Sequence, residues 1–185
     1  FPKLAFMMPE SEAYTGEVHI LPIGISEDGI AQTATPYYFA EKSDLPVLPR
    51  RGKFSHKGTY GHALMVGGGE GKAGAVFLAS KACLRSGAGL LSVYAPMTVE
   101  SALQVSLPEA MCIPCDDEKI LATAPDAGRY DAVGVGCGMG TDEATAKALA
   151  ELLDKTEKPM VIDADALNII SNRKNLIEKI PSGSV

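Results

Sequence analysis

Several features are scarce or missing in this 185-residue sequence, and each absence excludes a class of function. No uncharged run approaches the roughly 18 residues that a membrane-spanning helix requires, and no charged leader with an apolar stretch opens the chain. Positive charge is also limited, because 17 Lys and Arg residues stand against 23 Asp and Glu residues. The net charge of −6 therefore does not indicate a nucleic-acid-binding surface. We expect a soluble, cytoplasmic protein that binds neither membrane nor nucleic acid.

Residues that bind metals or act as nucleophiles are few, with four cysteines and three histidines. Cys112 and Cys115 have the spacing of a redox motif, but they lie on an apolar run rather than at a helix start, where a thiolate is stabilised. No second pair completes a zinc site, so reduced thiols are the simpler interpretation and a redox or metal role is the alternative. No histidine has a Ser, Cys or carboxylate partner at a spacing typical of a catalytic triad.

The composition changes near residue 50. Residues 1–49 contain six prolines and one predicted strand, 18–23, which is too little to bury a core of its own. We expect this part to be the end of another domain followed by a connector. A basic cluster then follows, and it is interpreted either as a solvated linker or as a surface that steers an anionic ligand. Its members are Arg50, Arg51, Lys53, His56 and Lys57.

After residue 55, short apolar runs alternate with amphipathic segments. The pattern predicts strands at 62–67, 90–94, 110–114, 130–135 and 159–162, and helices at 74–86, 98–106 and 141–155, with another helix from residue 166. Such an alternation implies an α/β fold with a mostly parallel sheet covered on both faces by helices. Residues 180–185 predict a loop that enters one more strand, so we expect the sheet to continue past Val185.

The first predicted strand is followed by a glycine-rich turn in which Gly69, Gly71 and Gly74 formally match G-x-G-x-x-G. The dinucleotide-binding form of this motif has an acidic residue about 20 positions later, where this sequence has Tyr94. The P-loop form requires Ser or Thr where Ala73 stands. Two interpretations stay open: a phosphate or another electron-rich group binds at the helix start, or the glycines only permit a tight turn and close packing.

A second glycine loop, with Gly136, Gly138 and Gly140, follows the strand predicted at 130–135. Two such loops at one edge of a parallel sheet would face each other across a crevice, which favours a ligand site more than either loop alone does. Two unrelated turns are the alternative.

Polar residues also follow the strand predicted at 159–162. Asp163 and Asn168 are predicted to face the same crevice, where they could hold a ribose, a hydroxyl or a hydrated metal. Asp165 is predicted to cap the helix that Ala166 begins.

Five motifs, taken in order, carry a resemblance to a known family. They are the sequence HKGTYG at 56–61, Gly74 with Ala75, RSGAGL at 85–90, YDAVGVG at 130–136 with Gly138 and Gly140, and DADALN at 163–168. Together they resemble the ADP- or ATP-dependent NAD(P)H-hydrate dehydratases of the ribokinase-like superfamily, over residues 53–185. Cys137 and Met139 depart from the Pro and Leu usual in that family. Residues 1–30 resemble the end of the NAD(P)H-hydrate epimerase domain that precedes the dehydratase in bifunctional repair proteins.

The resemblance implies a partial ribokinase-like doubly wound sheet in three layers, with an epimerase tail and linker at 1–50 and the first portion of a dehydratase at 51–185. It implies a hydro-lyase that phosphorylates the C6 hydroxyl of the S-form of NAD(P)H hydrate and then eliminates phosphate. The implied cofactors are ADP or ATP, together with Mg²⁺. It also implies a homo-oligomer. The implied substrate-binding residues are Gly74, Ala75, Gly136, Gly138, Gly140, Asp163 and Asn168.

The phosphate-binding loop and catalytic Asp of the family would lie beyond Val185. The resemblance therefore implies no catalytic residue within this sequence, and we expect residues 1–185 alone to be inactive. Two alternatives remain: a sugar or vitamin kinase of the same superfamily, because a fold does not determine its substrate, or an NAD(P)-binding redox module that uses the first glycine loop.

Overall fold

The computed structural model describes residues 3–40, 42–45 and 50–185, and the chain divides into two units, Phe1–Arg51 and Gly52–Val185. The first unit contains 3-10 helices at Leu4–Met7, Pro9–Tyr14 and Lys42–Asp44, and one short α-helix, α1 (Glu27–Ala31). None of its described residues is buried. The strand predicted at 18–23 is wrong, because these residues form neither strand nor helix. Alternating apolar residues make a stable strand only when a partner strand accepts their backbone hydrogen bonds.

The second unit carries the predicted alternation of strands and helices. The strands are β1 (His62–Val66), β2 (Leu90–Ala95), β3 (Met111–Pro114), β4 (Ala132–Val135) and β5 (Met160–Ile162). The helices are α2 (Ala73–Arg85), α3 (Met97–Ser106), α4 (Glu143–Lys155) and α5 (Asp165–Asn172), with 3-10 helices at Lys57–Tyr60 and Lys174–Lys179. The α/β prediction is confirmed, and the element bounds differ from the predicted ones by no more than one or two residues.

The five strands form one parallel sheet in the order β3-β2-β1-β4-β5. From β1 the chain first builds outward to β2 and β3, and then returns to the other side of β1 to add β4 and β5. The reversal between β1 and β4 is a topological switch point, and parallel α/β sheets bind ligands outside the carboxyl ends of the strands at such points. Both glycine loops follow these two strands, so the topology places them at the position where a ligand is expected.

The alternation of side chains along β1 separates two apolar cores. Leu64 and Val66 belong to a core shared with α4 and α5, whereas Ala63 and Met65 pack on a core shared with α2 and α3. Successive residues of a strand point to opposite faces, so the helices cover both faces of the sheet and make three layers. Burial of each large aliphatic side chain contributes about 1.5–3 kcal/mol, and these cores hold the strand ends in register beneath the loops.

Val185 lies beside the outer strand β5. Its N–H donates to the Met160 carbonyl at 3.0 Å, and its own carbonyl accepts from the Ile162 N–H at 2.8 Å. This is the hydrogen-bonding pattern of a parallel neighbouring strand. No helix in the part of the chain that the structure describes is both long and apolar enough to cross a membrane.

Candidate functional site

The two glycine loops contact each other directly at their bases. We call residues 67–72 the first glycine loop and residues 136–142 the second. The Gly68 N–H donates to the Cys137 carbonyl at 2.8 Å. A Cβ on Gly67 would lie 2.6 Å from that same oxygen, and a Cβ on Gly69 would lie 3.2 Å from the Gly138 carbonyl. Backbone packs against backbone here, so the packing interpretation of these glycines applies at the loop bases.

The outer rim is formed by the last residues of the first glycine loop and the first turn of α2. Gly74 and Ala75 are both exposed there, and a Cβ on Gly74 would meet nothing within 4 Å. The start of a helix directs backbone N–H groups and the positive end of its dipole outward. Across this rim, a Cβ on Gly138 would lie 2.9 Å from the Ala75 Cβ. The structure therefore brings together three of the predicted residues, Gly74, Ala75 and Gly138.

The turn after β5 packs against the second glycine loop from the other side. Gly136 has a φ of +129°, and a Cβ on it would lie 1.8 Å from the Asp163 carbonyl. The Asp163 N–H donates to the Val135 carbonyl at 3.0 Å, which continues the β4–β5 ladder by one residue. The Asp163 side chain is exposed beside the loop. The structure thus places Gly136 and Asp163 in backbone contact at the end of the strands.

Asp165 joins three segments of the site. Its Oδ2 accepts a hydrogen bond from the Gly140 N–H at 2.9 Å and lies 3.4 Å from the Lys72 Nζ, while its Oδ1 accepts from the Asn168 Nδ2 at 3.3 Å. The prediction that Asp165 caps a helix is wrong. Asp165 is the first residue of α5, the cap position belongs to Ala164, and no side-chain cap bond forms there. The carboxylate accepts the Gly140 N–H of the second glycine loop instead of a backbone N–H of α5.

The environment of Asp165 keeps its carboxyl group ionised. Partial burial alone would raise the pKa of Asp165, but the Gly140 N–H and the positive charge of Lys72 outweigh burial and lower that pKa below its ordinary value. The lowered pKa of Asp165 stabilises the folded state, and this stabilisation is fully present above the pKa that Asp165 has in the unfolded chain. It is lost as the pH falls through the lowered pKa of the folded protein.

Sequence reasoning missed the parts that Lys72 and Asp165 play in the site. Lys72 lies 93 residues from Asp165 along the chain, so no local pattern relates them. The available signal was that each residue lies in a segment that follows the carboxyl end of a strand: Lys72 ends the loop after β1, and Asp165 follows the turn after β5. The predicted residue Asn168 is exposed, and its side-chain amide is engaged by Asp165.

Charged groups at the rim are partly neutralised in pairs. Lys119 Nζ lies 3.0 Å from the Glu70 Oε1, with both side chains more than half exposed, and the Glu70 N–H donates to the Lys119 carbonyl at 2.9 Å. Lys72 is also half exposed, at 53%. An anionic group bound at the start of α2 would therefore meet a solvent-accessible ammonium group as well as helix N–H groups.

Burial raises the pKa of three of the four thiols, those of Cys83, Cys112 and Cys137. Burial, followed by the nearby negative charge of Asp163, raises the pKa of Cys137 in the second glycine loop. Burial also raises the pKa of Cys112, with a smaller contribution from Glu100. Cys115 is buried, and its Sγ lies 3.3 Å from the Asp117 carbonyl. All four cysteines are free, and a thiol with a raised pKa is a poor nucleophile at neutral pH.

We predict that Cys137 reacts with iodoacetamide near neutral pH more slowly in the folded protein than in the urea-unfolded chain. The thiolate is the reacting form, and the folded environment disfavours it. Mass spectrometry of the alkylated peptides at successive times measures both rates. Because the same residue in the unfolded chain is the control, equal or faster reaction in the folded protein would contradict the raised pKa.

A serine–histidine pair lies at the amino ends of the strands, on the opposite side from the glycine loops. The His62 Nε2 and the Ser92 Oγ are 2.9 Å apart, and the His62 ring packs edge-on against Tyr130 with centroids 4.7 Å apart. Asp131 accepts from the backbone N–H of His62 rather than from its ring. His62 begins β1, so the pair is at the amino end of the strands, away from the glycine loops. The described residues also hold no group of three His, Cys, Asp or Glu side chains that could bind a metal.

Comparison with known proteins gives a consistent result. The NAD(P)H-hydrate dehydratase family profile matches residues 63–182. The chain is 36% identical over 174 residues to the bifunctional NAD(P)H-hydrate repair enzyme of Coxiella burnetii, with 92% of this chain and 34% of that protein covered. It is 37% identical over 129 residues to the ADP-dependent (S)-NAD(P)H-hydrate dehydratase of Staphylococcus aureus, with coverages of 69% and 46%. The chain thus spans about a third of the bifunctional relative and under half of the other.

Solved structures share the fold. An ADP/ATP-dependent NAD(P)H-hydrate dehydratase from Bacillus subtilis, co-crystallised with ATP and Mg²⁺, is 32% identical with a TM-score of 0.53, covering 65% of this chain and 43% of that one. A ribokinase-like superfamily protein from Enterococcus faecalis has a TM-score of 0.57 at 24% identity, covering 68% of this chain and 44% of that one. The second likeness concerns the fold alone.

Proposed function

This chain belongs to the NAD(P)H-hydrate dehydratase family, and from that premise we propose that the protein carrying it repairs hydrated NAD(P)H. The reaction is dehydration of the S-form of the hydrate back to NAD(P)H with ADP or ATP as phosphoryl donor. The resemblance identified from the five sequence motifs and the ribokinase-like fold are confirmed. The observation that carries the proposal is the family match over residues 63–182, which includes both glycine loops and the turn after β5.

The chemistry requires activation of a poor leaving group. A hydroxide ion leaves carbon slowly, whereas a phosphate leaves readily, so phosphorylation of the C6 hydroxyl converts the hydrate into a reactive ester. The ring nitrogen lone pair then expels the phosphate, and loss of a ring proton restores the reduced nicotinamide. The protein lowers the barrier mainly by positioning the two reactants and by stabilising negative charge on the leaving group.

The rim of the two loops supplies groups suited to a dinucleotide. We propose that Gly74 and Ala75 allow the substrate to lie close to the start of α2, where helix N–H groups favour anionic phosphates. Gly138 lies directly across the rim from Ala75, so the substrate would contact both loops. Gly136 and Gly140 hold the backbone of the second loop in place below it.

The turn after β5 supplies polar groups to the same rim. The exposed carboxylate of Asp163 is suited to a ribose hydroxyl or to a hydrated Mg²⁺ ion carried by the nucleotide phosphates. Mg²⁺ would neutralise phosphate charge, and ions of this kind are commonly held by one or two carboxylates together with the phosphates. Asn168 contributes to the rim indirectly, because its side-chain amide donates a hydrogen bond to the Asp165 carboxylate. We assign no catalytic residue to the described residues.

We also propose a domain boundary near residue 50, with an epimerase tail and linker at 1–50 and the first portion of the dehydratase domain at 51–185. Two observations support this: the chain divides into units at residue 51, and the relatives aligned over 92% of the chain are bifunctional repair enzymes. We further propose a cytoplasmic homo-oligomer that takes a small-molecule nucleotide substrate.

The direct test uses the complete protein with hydrated NADH or NADPH, in the presence of ATP, ADP or neither nucleotide. We expect the absorbance of the reduced ring to appear only when a nucleotide is present. Sugars and vitamins supplied with ATP are the control substrates for the kinase alternative. Phosphorylation of one of these compounds, with no conversion of either hydrate, would contradict the proposed function.

A further inference from the structure

One carboxylate connects three separate segments at the rim. Asp165 opens α5, its Oδ2 accepts a hydrogen bond from the Gly140 N–H of the second glycine loop at 2.9 Å, and the same oxygen lies 3.4 Å from the Lys72 Nζ of the first glycine loop. The Asp165 side chain is only 20% exposed, whereas that of Lys72 is 53% exposed. The bond to the Gly140 backbone is therefore the more sheltered of the two.

The two bonds differ in their expected strength. An ion pair that is half exposed to solvent contributes little, and the 3.4 Å separation between Lys72 and Asp165 is long for such a pair. A hydrogen bond from a backbone N–H to an ionised carboxylate is charge-assisted and about twice as strong as a neutral one. The link that holds the second glycine loop is thus the bond between Asp165 and Gly140.

The backbone at Ala164, just before Asp165, is strained, and its unusual turn directs the Asp165 carboxylate toward Gly140. Ala164 has a φ of 50° and is the one non-glycine residue with a positive φ among residues 3–40, 42–45 and 50–185. Residues other than glycine adopt a positive φ at an energetic cost. They retain it where the surrounding structure enforces it, often at functional sites. Here the unusual turn allows the Asp163 carbonyl to pack on Gly136 while the next carboxylate reaches Gly140.

We propose that Asp165 is a positioning residue for substrate binding. By holding the Gly140 N–H, it fixes the second glycine loop against Ala75 and the first loop, and so sets the shape of the surface on which the hydrate lies. Asp165 itself does not touch the reacting atoms. This inference rests on the proposed function, and one of its two readouts is independent of that function.

The test compares Asp165→Ala and Asp165→Asn in the complete protein. The alanine side chain cannot accept the Gly140 N–H, whereas the asparagine amide oxygen can. We expect Asp165→Ala to raise the KM for the hydrate about tenfold, the size associated with loss of one hydrogen bond to a charged group, with a much smaller change in kcat. Asp165→Asn should restore most of the lost affinity.

Amide hydrogen exchange of residues 136–142, measured without substrate, is the second readout. We expect faster exchange in Asp165→Ala than in the wild type and near-wild-type exchange in Asp165→Asn. Asp154→Ala is the matched control, because Asp154 also pairs with a lysine, Lys179 at 2.7 Å, on an exposed surface formed by other elements. That variant should change neither the KM nor the exchange of this segment.

The outcomes separate the two proposals. If the wild type does not convert the hydrate, the proposed function fails, and the exchange measurement still decides whether Asp165 holds the loop. If the wild type is active, an unchanged KM in Asp165→Ala would overturn the inference. Equal losses in the alanine and asparagine variants would also overturn it, as would exchange at 136–142 that is the same in all variants.

Discussion

Replacement of Gly136 by alanine is expected to lower the free energy of unfolding by about 3–5 kcal/mol, a size that comes from overpacking combined with left-handed backbone strain. The added Cβ would lie 1.8 Å from the Asp163 carbonyl oxygen and 3.0 Å from the Ala166 Cβ, so the turn after β5 would have to move. The φ of +129° at Gly136 adds strain, because L side chains rarely adopt it. Urea unfolding of the complete protein, followed by circular dichroism, measures the change.

Gly74→Ala is the matched control for this prediction. It makes the same chemical change at the start of α2, but its Cβ would meet no atom within 4 Å. Position 74 lies in the first turn of α2, where alanine is at least as good a helix former as glycine. We expect a change of no more than about 0.5 kcal/mol. Equal unfolding midpoints for Gly136→Ala and the wild type would show that the turn after β5 tolerates displacement.

The strands and helices could be predicted because their signals are local. The runs that became β1 and β2 are short, apolar and bounded by glycine or proline, and α4 carries its apolar residues on one face. The segment 18–23 has a similar local signal, yet it forms no strand. Local pattern shows which residues can form a strand, but hydrogen bonding to a partner decides whether they do.

For the site, the sequence could predict only that it lies at the carboxyl ends of the strands. Strand endings placed the glycine loops and the 163–168 segment together, because the carboxyl ends of parallel strands share one side of a sheet. The contacts between the loops that follow these strands could not be predicted. Aspartate is a common helix cap, and the sequence predicted that the helix begins at Ala166, so capping by Asp165 was the local expectation. The actual partner of Asp165 is Gly140, which lies 25 residues away along the chain. The contact between Gly68 and Cys137 likewise depends on how the loops turn after their strands.

Replacement of Ala75 by tryptophan is expected to reduce turnover of the hydrate at least about 100-fold, because a displacement of about 1 Å at a positioning surface can cost that much. Ala75 is exposed in the first turn of α2, and its Cβ lies 2.9 Å from the Cβ position of Gly138. A tryptophan ring at this point would cover the rim between the two loops, where we place the substrate. Because position 75 is exposed, the melting temperature should change little. Initial rates with hydrated NADH and a nucleotide measure the loss.

The choice of position 75 rather than 138 follows from the geometry of the loops. Gly138 has a φ of +69°, and its added Cβ would also lie 3.0 Å from the Lys72 carbonyl, so Gly138→Val would disturb both loops as well as the substrate surface. Leu78→Trp is the matched control, since Leu78 lies one turn along α2 with 64% of its surface exposed. It places the same ring about 4.5 Å further along the helix axis, away from the rim. Turnover should fall in Ala75→Trp and persist in Leu78→Trp, and normal turnover in both would refute the placement of the substrate at the start of α2.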